Sequence, residues 1–452
     1  MENMMKKIAL LFSVIVSSFV AVQPAFAQEQ QQVPTLVLIS NVNIFDGSDK
    51  LVADMSVLVE GNKIAKIAKS IEAPAGATVI DAKGRTMTPG LIDCHVHLAW
   101  VISSPYAMFD TPADYQAALA LVEAKAMLMR GYTSIRDTAG QVFGTKRAID
   151  EGLFPGPRIW GCGAAISMTS GHGDFRTLNT ESRQMGGSNF TEVERIQLVI
   201  FADGVPEVLT AARMQMRKGA HFVKMFTGGA VSGLRDPLDI TEYSFDEIKA
   251  AADEAKRWNT YLSVHSYTDA SVKLALEAGA MSIEHGNLLT DSTMKLLAEK
   301  GAFLSTQTGL FLGEAPADWN PEQKAKQKAT KDGLDTMFAA AKKYKVKIAL
   351  GSDLVGPPAA KAEQAKELSF RLPWFTPVEI LNQATTNNAE LLAMSGPRNP
   401  YPGKLGVIEE GAYADLLLVD GNPLENLHLF DEPEKNLALI MKDGKIYKNT
   451  VN

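Results

Sequence analysis

The chain has 452 residues, 46% of them hydrophobic and 21% charged, a balance that excludes disordered, collagen-like and disulfide-framework classes. A net charge of -7, with no Lys/Arg cluster interleaved with aromatics, argues against nucleic acid as a partner. The length suits one large α/β barrel with a smaller attached domain.

In chain order, the first feature is a targeting segment. Lys6 and Lys7 precede the apolar run IALLFSVIVSSFVAV, followed by Pro24 and the small-residue pattern Ala25-Phe26-Ala27. This predicts a signal peptide over residues 1–27, cleaved after Ala27, and hence an exported protein, periplasmic or secreted. The run is short of the ~20 apolar residues that span a bilayer, so no stable membrane insertion is expected after cleavage. Residues 28–88 read as the N-terminal part of a β-domain: TLVLISNVNIF, SVLVEGNKIAKIA and TVIDAKGRTMT alternate apolar and polar residues between turns such as Asp46-Gly47 and Lys83-Gly84.

From residue 89 to 395 the pattern changes to short apolar strands alternating with helices. The strands are GLIDCHVHL, YTSIRD, RIWGCGAAIS, HFVKMF, YLSVHS, MSIEHG, AFLSTQ and KIALGSD. Segments such as VPEVLTAARMQMRKG and SFDEIKAAADEAKRW are helical. Parallel neighbours need helical crossovers, so the pattern predicts an α/β fold, a (β/α)8 TIM barrel. Residues 396–452 are strand-like again (YADLLLVDG, LALIMKDGKIYKN) and should join the N-terminal strands in one smaller β-sandwich domain built from both chain ends. The two cysteines, Cys94 and Cys162, fall in different strands and are expected apart as buried free thiols, Cys94 facing the outer helices.

The chemistry-bearing residues gather at the C-terminal ends of these strands, the face where barrel enzymes carry their active sites. His95 and His97 are two apart on the first strand and share a side. His265 ends the fifth, His285 the sixth and Asp353 the eighth, while Lys224 lies inside the fourth. Singly, each has a plain structural explanation: a satisfied polar histidine, or an aspartate capping a helix. A lysine within an apolar strand must be neutralised, paired or modified. Six such residues in register at one barrel mouth make a metal site the better explanation. His221, at the start of its strand, and His428, on a C-terminal loop, carry no such argument.

The motifs PGLIDCHVH, HFVKMFTGG, SVHSYTDA, SIEHG, LGSD and LGVIEEGAYADLLLVDGNPL resemble the amidohydrolase superfamily. The resemblance is to its imidazolonepropionase-like and Xaa-Pro dipeptidase (prolidase)-like branch, which includes ochratoxin-amidohydrolase-like enzymes. It implies two divalent metal ions, zinc by default. His95, His97 and Asp353 would hold one and His265 and His285 the other. Carbon dioxide, fixed as a carbamate on Lys224, would bridge them. Asp353 would also be catalytic, taking a proton from the attacking water and giving it to the leaving amine. Burial near cations favours the neutral amine that carbon dioxide requires.

Two further residues are candidates for substrate binding. His172 lies in TSGHGD after the third strand, and Tyr267, two residues after His265, should face the same way as that ligand. The resemblance implies that they hold a carboxylate or carbonyl of the substrate. Long segments at 174–204 and 310–327 are candidate lids. Gly228 and Gly229 either let the backbone approach the metals or merely turn the chain. The expected reaction is hydrolysis of a C–N amide bond with an amino-acid leaving group, in dipeptides such as Xaa-Pro, N-acyl amino acids or ochratoxin-type aryl amides. Cyclic-amide hydrolysis or deamination is the alternative, and a non-catalytic metal-binding barrel the remote one. A homo-oligomer is left open.

Overall fold

In a computed structural model, residues 35–102 and 104–451 are described; the expected signal peptide lies outside them. Five strands open the chain: β1 (Leu36–Ile44), β2 (Val52–Glu60), β3 (Lys63–Ala68), β4 (Thr78–Asp81) and β5 (Thr86–Pro89). The last three, β16 (Leu416–Val419), β17 (Leu437–Lys442) and β18 (Lys445–Asn449), return to the same sheet. Its order is β18-β17-β16-β5-β1-β2-β3, with β4 against β1, and β16 pairs antiparallel with β5 to stitch the two chain ends together. The alternation seen in the sequence packs Val37, Ile39, Val57, Leu416, Leu418 and Leu439 into one apolar cluster.

The barrel strands are β6 (Leu91–Val96), β7 (Tyr132–Asp137), β8 (Arg158–Gly161), β9 (Ala165–Ser167), β11 (Val223–Phe226), β12 (Leu262–Thr268), β13 (Ser282–Leu288), β14 (Phe303–Thr306) and β15 (Lys347–Leu350). Each pairs in parallel with its neighbour, in the sets β6-β7-β8 and β9-β11-β12-β13-β14-β15. Two backbone bonds join the sets: the His221 N–H donates to the Gly161 carbonyl at 3.0 Å, and the Asp353 N–H to the His95 carbonyl at 2.7 Å. Strand β6 is buried at every position, as a strand covered on both faces must be. The helices begin where local chemistry dictates: Ser244 and Glu247 form a capping box that starts Phe245–Arg257, whose buried face carries Ile248, Ala251, Ala252 and Ala255.

The third strand differs from the sequence reading. It is broken into β8 and β9 around Gly163, whose φ of 73° lies in the left-handed region that glycine adopts freely. The segment 174–204 is likewise not wholly loop, because β10 (Val199–Phe201) adds a parallel strand beside β9. The 310–327 segment runs into the first turns of a long helix, Pro321–Lys343, started by Asn320, whose side chain accepts from the Gln323 N–H. Cys94 and Cys162 are buried and free, as expected, and both belong to one apolar cluster. Among the described residues no helix is long and apolar enough to cross a membrane.

Candidate active site

The strand-one end carries the first group. Nitrogens of His95 and His97 and an oxygen of Asp353 all lie within 4.8 Å of one another, a candidate metal site. His97 Nε2 is 3.0 Å and His95 Nε2 3.4 Å from Asp353 Oδ1. Burial opposes ionisation of Asp353, but His95 and His97 beside it hold its carboxyl well below the usual range. Asp353 sits at φ 54° and His285 at φ 77°, left-handed conformations that are costly for residues with a Cβ and that cluster at functional sites.

Beneath His95 lies a carboxylate that the sequence reading missed. Glu284 Oε2 is 2.8 Å from His95 Nδ1, while its other oxygen accepts from Arg136, Ser263 and Ser282 at 2.7, 2.7 and 2.6 Å. Glu284 is fully buried, which alone would raise its pKa, but the Arg136 guanidinium and Lys224 draw it well below the carboxylate range. An ionised carboxylate only accepts, so His95 carries its proton on Nδ1 and turns Nε2 toward Asp353. The argument applied to Lys224, that a charge inside an apolar strand needs a partner, would have flagged both Glu284 and Arg136.

The second group comes from strands four, five and six. His265 Nδ1 lies 2.8 Å from His285 Nε2, and His285 Nδ1 lies 2.7 Å from Gln307 Oε1. His285 Nδ1 is 4.0 Å from Asp353 Oδ2, so the two groups adjoin. Burial drives the pKa of His285 down to about 3 and that of His265 well below its ordinary value. Lys224 is 2% exposed, and burial lowers its amine to about 8. Lys224 Nζ and His265 Nε2 are buried without a hydrogen-bond partner among the described residues, as is His97 Nδ1.

Both residues expected to bind substrate stand against these histidines. The His172 ring stacks on His265 at 4.5 Å and 13°, and the Tyr267 ring stacks on His285 at 4.7 Å and 8°. His172 Nδ1 is 3.0 Å from Asp236 Oδ2, and its backbone N–H donates to Glu242 Oε1 at 2.7 Å. Phe311 packs edge-on to Tyr267 at 6.1 Å. Trp319 packs half-buried against the main core. The loop after β11 folds over on itself: a Cβ on Gly229 would lie 1.9 Å from the Pro237 carbonyl, so the glycine serves the loop's own closure. Gln323 and Lys326 donate to the Ser232 and Gly233 carbonyls, tying the 310–327 segment to that loop. His221 binds the Gly161 backbone and His428 pairs with Asp431 at the surface, both outside the site.

Residues 86–447 match the Amidohydrolase family. The ochratoxinase of Aspergillus niger is 34% identical over 376 residues, covering 80% of this chain and 75% of that protein. A solved prolidase complexed with N-methylphosphonate-L-proline is 33% identical with a TM-score of 0.84, covering 92% of this chain and 100% of that one. A Xaa-Pro dipeptidase with methionine bound in its active site is 27% identical with a TM-score of 0.78, over 92% of this chain and 100% of that one. Matched across the barrel and most of the flanking sheet, the chain belongs to the amidohydrolase family and is a hydrolase acting on C–N bonds.

Proposed function

We propose that this chain is exported, begins at Gln28 once mature, and uses two zinc ions to hydrolyse an amide whose leaving group is an amino acid. The observation that carries the reading is the convergence of His95, His97, Lys224, His265, His285 and Asp353, with Lys224 Nζ and His265 Nε2 buried and unpartnered. Four imidazoles, a carboxylate and an amine that accepts carbon dioxide are a donor set suited to zinc. His95, His97 and Asp353 would hold one ion, His265 and His285 the other, and the Lys224 carbamate both. When bound, the ions supply Lewis acidity and lower the pKa of water.

The chain's own residues do the rest. Asp353, ionised at neutral pH, accepts a proton from the attacking water and passes it to the departing amine nitrogen as the C–N bond breaks and the C–O bond forms. Glu284 keeps the His95 tautomer that presents Nε2 to the site. His172, braced by Asp236, and Tyr267 hold the substrate's carboxylate or carbonyl. The prolidase and Xaa-Pro dipeptidase relatives support dipeptides, and the ochratoxinase supports N-acyl amino acids as an equal candidate class.

The test is amino-acid release by the chain from Gln28 on a panel of Xaa-Pro and other dipeptides and N-acyl amino acids, each with zinc and with a strong chelator. Chelator-sensitive release from one subset is the expected result. Zinc-loaded protein that releases nothing across the panel refutes the leaving-group assignment and brings cyclic amides forward.

A further inference from the structure

Lys361 is a fully buried cation with no place in the chemistry above. It lies in the turn Ala360–Lys366, on the loop that follows β15 and Asp353, and is 1% exposed. Its Nζ donates to the His97 carbonyl at 2.6 Å. From the opposite side, Asp137 at the end of β7, itself fully buried, accepts the Leu98 N–H on Oδ2 at 2.6 Å. That carbonyl and that N–H belong to one peptide unit. The Lys361 ammonium grips one end of it and the Asp137 carboxyl group the other. Behind them Glu123 and Arg130 pair at 2.5 Å.

We infer that Lys361 and Asp137 are positioning residues that clamp the His97–Leu98 peptide and so aim His97 at the ion it shares with His95 and Asp353. This rests on the metal reading proposed above. The Lys361 bond is one of several that tie the strand-eight loop to strand one and the residues just after it. The others include the Asp353 N–H to His95 carbonyl bond at 2.7 Å, the Gly356 N–H to Trp100 carbonyl bond at 3.1 Å, and bonds from Ser352 and Gln364 to the Asp93 carboxylate. The relative placement of the three ligands therefore depends on these ties. Simple satisfaction of the carbonyl does not account for the lysine, because the Trp100 N–H already donates to the His97 oxygen at 3.1 Å. Nor does packing, since an apolar side chain of similar volume fills such a space without the desolvation cost of an ammonium. What Lys361 and Asp137 together add is direction at both ends of one peptide, on the residue that carries the ligand.

The experiment compares full-length wild type with Lys361→Met, Lys361→Arg and Asp137→Asn. Three quantities are read: zinc affinity by chelator competition, the Tm of each zinc-free protein, and the visible spectrum after loading with cobalt(II). Lys361→Met should weaken zinc binding by about 10–100-fold and change the cobalt bands, with the zinc-free Tm within a few degrees of wild type. Lys361→Arg, which keeps a donor and the charge, should recover part of the affinity. Wild-type affinity in Lys361→Met, or affinity lost only in step with zinc-free Tm, overturns the inference. If Lys361→Met does not fold, Asp137→Asn decides by the same criteria. Wild type that takes up no zinc is a separate result: it removes the metal reading and this inference with it.

Discussion

The two halves of the candidate metal site are built in opposite ways. The half formed by His95, His97 and Asp353 is held by the protein itself: a backbone bond joins Asp353 to His95, Glu284 pins the His95 ring and Lys361 holds the His97 carbonyl. The half formed by Lys224, His265 and His285 has fewer such ties, the contact of His285 Nδ1 with Gln307 Oε1 at 2.7 Å being one. His265 and His285 bond to one another, and Lys224 Nζ and His265 Nε2 have no partners among the described residues. The first half is held mainly by hydrogen bonds from outside the site, and the second leaves two buried nitrogens without a partner among the described residues against one, His97 Nδ1, in the first. A left-handed backbone is common to both, at Asp353 in the first half and at His285 in the second.

The sharpest test of that contrast is Lys224→Ala. It removes the group proposed to hold both ions and should leave at most the ion held by His95, His97 and Asp353, reducing bound zinc from two ions to one by elemental analysis and lowering kcat by at least about 10²–10³-fold. A variant that still binds two ions shows that the halves are not distinguished by Lys224. Glu284→Gln attacks the first half from below. It leaves Arg136 buried against a neutral group, so denaturant unfolding should show a loss of about 3–5 kcal/mol. Zinc should bind about 10–100-fold more weakly. Equal loss at both ion positions in a zinc titration would mean that Glu284 supports the whole site.

Smaller effects are expected where loops support the second half. Asp236→Ala frees the His172 ring that stacks on His265 and should raise KM by about 10-fold, the worth of one hydrogen bond to a charged group, with kcat nearly unchanged. A fall in kcat at constant KM would instead place His172 in the chemical step. Under His172, burial raises Glu242 to about 8 from its ordinary value of 4.5; the His172 N–H opposes the shift and nearby Asp236 adds to it. The folded state thus keeps a proton that the unfolded chain releases between about 4.5 and about 8, and stability falls as pH rises through that window. Glu242→Gln removes this dependence. Its Tm relative to wild type should improve between pH 5 and pH 9, and a constant difference would show that Glu242 is ionised in the fold.

Much of this site can be read along the chain because its signals are local. Alternation within YLSVHS and MSIEHG places His265 and His285 at strand ends, and the two-residue spacing of His95 and His97 puts them on one side. The switch from strand-only to strand-helix patterning marks the barrel, because side-chain period and turn chemistry depend on near neighbours. Other features needed the chain to close on itself. Glu284 meets His95 across 189 residues, and Lys361 meets His97 across 264, separations at which no spacing rule operates. The break around Gly163 and the added strand β10 likewise follow from packing between strands three and four, which no local pattern encodes. Local sequence thus determined which residues could be ligands. Barrel closure decided which of them are held in advance, since buried charges are placed by partners that only the tertiary fold supplies.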